Sequence, residues 1–256
     1  MNCSVTISNS ETQFFKENGY LIKREAVDSE TIESLKSVVS NHLLARVKPF
    51  ELEQEVNYPG SPVSVSETGG DTIRRLKMAY DRDKAFAQWI KHPKIITALK
   101  ILLQSDHISF VQSHHNCIMT KQPQYSSETH WHKDIRYWNF ENNDLINTWL
   151  PLGKESKENG CLQVIPKSHL WNTSRELLDE RLFLRKDLIE NQKWLATAID
   201  VELQQGDLLI FHAAIFHAAG RNTTEQSKNA VVSTYHSEHN SAKKNTNSTA
   251  FPEIQL

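Results

Sequence analysis

Ser109 to Lys121 reads SFVQSHHNCIMTK, and it marks the point where the hydrophobic period of the chain changes. Before it, Phe14, Phe15 and Tyr20, then Ile32, Leu35, Val38, Val39 and Leu43 at three-to-four spacing, predict helix within residues 11–49, with Asp28 or Ser29 as N-cap. A second helical stretch is predicted over 83–104, interrupted at Pro93. After it come HWHKDIRYW (130–138), LINTWLPL (145–152), GCLQVIPKSH (160–169), AIDVEL (198–203), GDLLIFHAAIFH (206–217) and NAVVSTYH (229–236). These are short segments of β-branched and aromatic residues bounded by Gly, Pro, Asn and Asp, which is the signature of strands. Such a run behind helices predicts a mainly β fold, a double-stranded β-helix (jelly-roll) barrel with flanking N-terminal α-helices. The expected organisation is one domain over 1–256, divided into a helical flank (1–105), a jelly-roll core (106–238) and a C-terminal loop (239–256). Residues 51–73, with Pro59, Gly60, Pro62, Gly69 and Gly70, read as a loop inside that domain.

Composition narrows the function classes. Lys and Arg number 29 against 31 Asp and Glu, a net charge of −2. A nucleic-acid binder or a polybasic membrane anchor needs a cationic surplus, so neither partner is expected. Cys3, Cys117 and Cys161 are too scattered for a disulfide framework or a structural zinc site, and a reducing compartment is expected. The N-terminus lacks the basic and apolar regions of a signal peptide, and no apolar run is long enough to span a bilayer, so a cytoplasmic protein is expected. The sequons at Asn2, Asn172, Asn222 and Asn247 then have no use. Twelve histidines remain, and imidazole is the commonest metal ligand.

His132-Lys133-Asp134 is the first candidate site. In a strand, alternate side chains share a face, so imidazole and carboxylate would lean toward one ion from backbone positions about 7 Å apart. They supply two thirds of a 2-His-1-carboxylate facial triad, which binds non-haem Fe(II) and leaves positions open. The tripeptide alone is weak: 12 His and 11 Asp in this chain give about half an occurrence by chance. A second His-bearing segment strengthens it, because GDLLIFHAAIFHAAGRN carries His212 and His217. Their odd separation sends them to opposite faces of a regular strand, so only one can complete the triad unless a bulge intervenes. His236-Ser237-Glu238 is a competing pair, set beside a loop.

Four ordered motifs resemble the phytanoyl-CoA dioxygenase family of Fe(II)/2-oxoglutarate-dependent oxygenases. They are Phe15 to Leu21 (Phe-x-x-x-Gly-Tyr-Leu), Trp131-His132-Lys133-Asp134, Asn159-Gly160-Cys161-Leu162 through Pro166 to Ser168-His169, and Gly206-Asp207 through His212 to His217. The resemblance implies His132, Asp134 and His217 as catalytic iron ligands, with 2-oxoglutarate as co-substrate and O2 as oxidant. It implies a cation eleven residues beyond the last ligand for the distal carboxylate of 2-oxoglutarate. Relatives have Arg there and this chain has Lys228, a point charge in place of a two-pronged donor. Arg221 is the fallback. The resemblance further implies Trp149 as a wall of the co-substrate pocket and Lys77 on the segment that closes over it. Cys117, with His115 and Met119 on the same face by alternation, would point at the co-substrate. Ala219 stands where relatives often have Ser. His130 would support a ligand, and Arg136, Tyr137 and Trp138 would line the barrel mouth, facing charged and flat parts of a substrate.

The expected activity is therefore hydroxylation of a small organic molecule with release of succinate and CO2. Retention of Asp134 argues against halogenation, for which relatives replace the carboxylate. Two other readings keep the barrel: a non-catalytic, cupin-like metal-binding module for small molecules, and a zinc hydrolase. Neither gives Lys228 and Trp149 a purpose.

Overall fold

Two-sided burial explains the strand run. In NAVVSTYH, Ala230 and Val232 join one buried cluster while Val231 and Tyr235 join another. A strand covered on both faces reads as a nearly continuous apolar segment. The computed structural model describes residues 3–58, 61–123 and 125–256; the Asn2 sequon and the Pro59-Gly60 part of the 51–73 loop lie outside the described residues.

In chain order the elements are α1 (Asn9–Asn18), β1 (Tyr20–Lys23), α2 (Ser29–Leu44), β2 (Phe50–Leu52), β3 (Ile73–Lys77), α3 (Ala79–Arg82), α4 (Lys84–Ile90), α5 (Pro93–Leu103), β4 (Ile108–Lys121), β5 (Thr129–His132), β6 (Leu145–Pro151), β7 (Leu162–Val164), α6 (Ile189–Leu195), β8 (Ile199–Val201), β9 (Leu208–His212), β10 (His217–Ala219), β11 (Lys228–Ser237) and β12 (Ile254–Gln255). Among the described residues, the major sheet runs β1-β9-β6-β11-β4-β3-β2, with β12 also on β4, and the minor sheet runs β5-β10-β7-β8; all pairings are antiparallel. This is the jelly-roll barrel. Cys117, Trp149, Leu162, Leu209, Phe211 and Val232 pack between the sheets. Ile32, Leu35, Phe86, Trp89 and Leu99 cover the outer face of the major sheet together with Ile118, Ile146, Ile210 and Val231.

The helix signals were local. Asp28 accepts from the Thr31 amide as N-cap of α2, and Pro93 opens α5, where its missing N–H costs nothing. The flank nevertheless is not purely helical. β1, β2 and β3 lie within residues 1–105 yet pair into the major sheet, and β12 does so from the segment read as a C-terminal loop. These are strands of two to five residues. Runs that short show no period, and only pairing makes them strands, β1 with β9, β3 and β12 with β4, and β2 with β3.

Phe86 on α4 is fully buried in the outer cluster. Phe86→Ala should cost about 3–5 kcal/mol, read as a lower urea midpoint at unchanged slope.

Candidate functional site

His132 ends β5 and His217 begins β10, and the two residues are direct partners in the antiparallel register. The following Lys133 is still extended, and Asp134 opens a 3₁₀ turn over Asp134–Tyr137, so the turn rather than the strand presents the carboxylate. Asp134 Oδ1 lies 3.3 Å from His132 Nε2 and 3.4 Å from His217 Nε2. All three side chains are buried. His132 Nδ1 donates to the His130 carbonyl at 2.7 Å, and His217 Nδ1 donates to the Ile215 carbonyl at 3.1 Å. With Nδ1 donating to a carbonyl, the neutral form of each ring turns an Nε2 lone pair inward. Asp134 Oδ2 accepts from Asn147 Nδ2 at 2.7 Å, and Asn147 Oδ1 accepts from Thr234 Oγ1 at 2.5 Å. Oδ1 is buried with no hydrogen-bond donor. Three electron-pair donors thus converge within 4.8 Å of one another, and two imidazoles with one carboxylate suit non-haem Fe(II).

Electrostatics agree. Burial alone would raise the Asp134 carboxyl, but the imidazoles of His115, His217 and His132 hold it well below the usual range. Burial, reinforced by His217, lowers His132 to about 4. Burial also acts to lower His217, yet the Asp134 carboxylate outweighs it and raises the ring. Asp134 is thereby held as a carboxylate between the two rings.

The strand parity argument for His212 and His217 does not apply. β9 belongs to the major sheet and β10 to the minor one, so the chain changes sheets between them. His212 sits 3.5 Å from Asp144, with its Nδ1 accepting from the Ala214 amide, and neighbours His169. It does not line the cavity at the triad. His130 meets His132 through its backbone carbonyl rather than its ring. His115 does approach, with Nδ1 3.5 Å from Asp134 Oδ2. It shares the wall with His114, contrary to simple alternation. The β4–β11 register jumps from Asn116↔Ser233 to Val111↔Thr234, so Gln112 to His115 bulge out, with His114 at φ +68°.

The family-like motifs hold this geometry in place. Gly160 has φ +75°, and a Cβ there would meet the Gly220 carbonyl oxygen at 2.4 Å. Ser168 Oγ accepts from the Phe216 amide at 2.8 Å, fixing the residue before His217. Asp207 receives the Glu25 and Gln204 amides and pairs with Arg24, locking the turn into β9.

A cavity of about 280 Å³ opens beside the triad, lined by Arg75, Met119, Trp149, Leu162, Phe211 and Ala219 among others. At one end stands Lys228, only 5 % exposed, opposite Lys121 in the β4–β11 register. Lys228 Nζ is 3.1 Å from Glu155 Oε2 and lies 5.0 Å from the centre of the Trp149 ring, while Trp149 Nε1 donates to Glu155 Oε1 at 2.9 Å. Arg74 pairs with buried Glu53 at 3.4 Å and donates to Ser127 and Thr129. Lys121 donates to the Ser127 carbonyl at 2.9 Å, and among the described residues no carboxylate stands within ion-pair distance of it. Burial, then repulsion by Arg74 and Lys228, holds the Lys121 ammonium well below its ordinary pKa. Lys121, Arg74 and Arg75 went unnoticed in the sequence, although Lys121 shares the odd-numbered face of β4 with Cys117 and Met119.

Cys117 is fully buried in the cluster behind the cavity, beside Arg75, and burial pushes its thiol up to about 11. Lys77 is Cys117's partner across β3–β4, with its ammonium 3.8 Å from Glu51 and partly exposed. Neither lines the cavity, and Arg221 is exposed outside it. His236 pairs with Glu253 at 3.1 Å instead of forming a metal pair with Glu238.

The sequence matches the family described as Phytanoyl-CoA dioxygenase (PhyH) over residues 15–230. It is 24 % identical over 236 residues to a probable phytanoyl-CoA dioxygenase of Caenorhabditis elegans, covering 90 % of this chain and 75 % of that one. It is 25 % identical over 199 residues to L-proline trans-4-hydroxylase of Streptomyces griseoviridis, covering 68 % and 71 %. The fold is shared with the non-heme alpha ketoglutarate dependent carbocyclase SnoK from nogalamycin biosynthesis, at TM-score 0.75 and 16 % identity over 100 % of this chain and 98 % of that one. It is shared too with EctD from S. alaskensis with bound Fe, at TM-score 0.70 and 17 % identity over 93 % and 79 %. With the family match spanning most of its length and a His-Asp-His centre suited to iron, the chain belongs to the phytanoyl-CoA dioxygenase family of non-haem iron, 2-oxoglutarate-dependent oxygenases.

Proposed function

We propose that this family member works as one oxygenase domain that hydroxylates a small organic molecule, with His132, Asp134 and His217 holding the iron. The observation that carries the site assignment is Asp134 Oδ1, buried and without a donor between two inward-facing Nε2 atoms at 3.3 and 3.4 Å. Bound iron supplies the oxidising chemistry, in which 2-oxoglutarate and O2 give succinate and CO2 as a C–H bond is hydroxylated. The chain supplies orientation. Asn147, itself held by Thr234, fixes the carboxylate, and the two backbone carbonyls fix the imidazoles.

The distal carboxylate of 2-oxoglutarate goes to the buried cations at the other end. Glu53 balances Arg74 and Glu155 balances Lys228, so Lys121 is the charge left over, and one incoming carboxylate completes the set. Lys228 and Lys121 hold it together, and Trp149 forms the wall beside them. Lys77 and Cys117 act indirectly, through Glu51 and Arg75 at the cavity edge. A non-catalytic binding module has no use for this buried cluster. No helix among the described residues is long and apolar enough to cross a membrane. The three cysteines, all buried and unpaired, suit a reducing compartment, and we place the enzyme in the cytoplasm.

Anaerobic addition of Fe(II) and 2-oxoglutarate should produce the weak visible metal-to-ligand band, and Asp134→Ala or His217→Ala should abolish it; a band that survives both changes refutes the ligand assignment. Lys228→Ala leaves Glu155 buried beside the incoming carboxylate, so 2-oxoglutarate affinity should fall by about 1.5–3 kcal/mol. Glu155→Gln should not weaken it, which titration of the band would show. Because Lys121 is depressed in the free pocket and its charged form is favoured by a bound carboxylate, binding takes up a proton and affinity falls as pH rises. Calorimetry in buffers of different ionisation heat should detect that uptake in the wild type, with a smaller value in Lys121→Met.

A further inference from the structure

The charges lining the cavity differ in one respect. Arg74, Arg75 and Lys228 each face a carboxylate, and Lys121 sits with them at the co-substrate end. Arg136 is on another element, the 3₁₀ turn that begins with the iron ligand Asp134. Its side chain makes no hydrogen bond or ion pair among the described residues, and its Nη1 is buried without a partner. The guanidinium lies on aromatic faces instead, 4.3 Å from the centre of the Phe183 ring and 5.3 Å from that of Tyr137. Stacking of this kind fixes the plane of the group and leaves its N–H edge free, the edge that binds a carboxylate with two parallel bonds.

The surroundings say what stands behind that charge. Phe183 meets His132 edge-on at 5.8 Å between centroids, so Arg136 is one aromatic ring away from an iron ligand. Tyr137 is stacked on His114 at 3.7 Å, and it is the β4 bulge that brings His114 there. Both rings line the cavity, as does Tyr58. Tyr137 and His114 thus form a stacked aromatic pair between the guanidinium and the triad, Tyr137 meeting His132 edge-on at 5.9 Å between centroids.

We infer that the primary substrate is a carboxylic acid on an aromatic or alicyclic frame, its carboxylate paired with Arg136 and its ring against Tyr137 and His114. This rests on the oxygenase reading and adds the substrate class to it. Arg136 is a binding and specificity residue: it holds the molecule by its acid end so that the carbon frame projects toward the iron position. A buried N–H without an acceptor is costly, and the substrate carboxylate supplies that acceptor.

The test uses the full chain loaded with Fe(II) and 2-oxoglutarate, with a panel of small aromatic and alicyclic acids, each paired with its primary amide. Succinate release should rise with particular acids and not with their amides. Arg136→Gln should raise the KM for the best acid at least ten-fold, and Arg136→Lys should recover part of the loss. In the same Arg136→Gln protein, the titration of the visible band by 2-oxoglutarate should match the wild type. Amides that stimulate as well as acids, a panel of acids that leaves succinate release unchanged, or an unaltered KM in Arg136→Gln would overturn the inference. So would a parallel loss of 2-oxoglutarate affinity, which would assign Arg136 to the co-substrate. Absence of the band in the wild type would instead remove the oxygenase reading itself.

Discussion

Three donor atoms converging on one buried point are the constraint around which this barrel is arranged. Asp134 Oδ1 and the Nε2 atoms of His132 and His217 converge in the buried interior, an arrangement that a cation joining them would stabilise. Much of the neighbouring structure holds that arrangement. The β5–β10 register sets the histidines opposite each other, backbone carbonyls fix their tautomers, and Asn147 with Thr234 secures the carboxylate. Ser168 secures Phe216, one residue before His217, so a motif on a separate loop takes part in placing that imidazole.

The second organising feature is the distribution of buried charge. A cavity with several cations in low dielectric is tolerable only if each has a partner or expects one. Glu155 is the clearest case: one carboxylate receives both the Lys228 ammonium and the Trp149 indole, tying the wall of the pocket to its charge. Lys228 therefore does not stand as an isolated charge in the barrel. Lys121 stands opposite it in the β4–β11 register, and Arg74 nearby is paired with Glu53.

Much of the site was legible because its chemistry is written in residue type and order. His-x-Asp, the Asn-Gly turn, Ser168 and the Gly206-Asp207 turn all stood out as motifs, although the reasons for the last three emerged only in three dimensions. Gly160 is required by the close carbonyl of Gly220, and Asp207 by two amides and Arg24. Other features had no local signal. Alternation assumed an unbroken β4, whereas four residues bulge and bring His114 and His115 to the same wall. Parity assumed that His212 and His217 share a strand, whereas the chain changes sheets between them.

By itself, the sequence determined the jelly-roll class, the N-cap of α2 and the His-x-Asp pair, since periodicity, capping and residue type are properties of neighbouring residues. His217 as the third donor came from the order of the family-like motifs. Tertiary structure decided the sheet membership of β1 to β3 and β12, the removal of His212 from the site, the pairing of Lys228 with Glu155, and the isolation of Arg136 on its aromatic bed. Each of those depends on contacts between residues far apart in the chain. Whether a buried charge is balanced or waiting for a partner is a property of the space around it, and that space exists only once the sheets have closed.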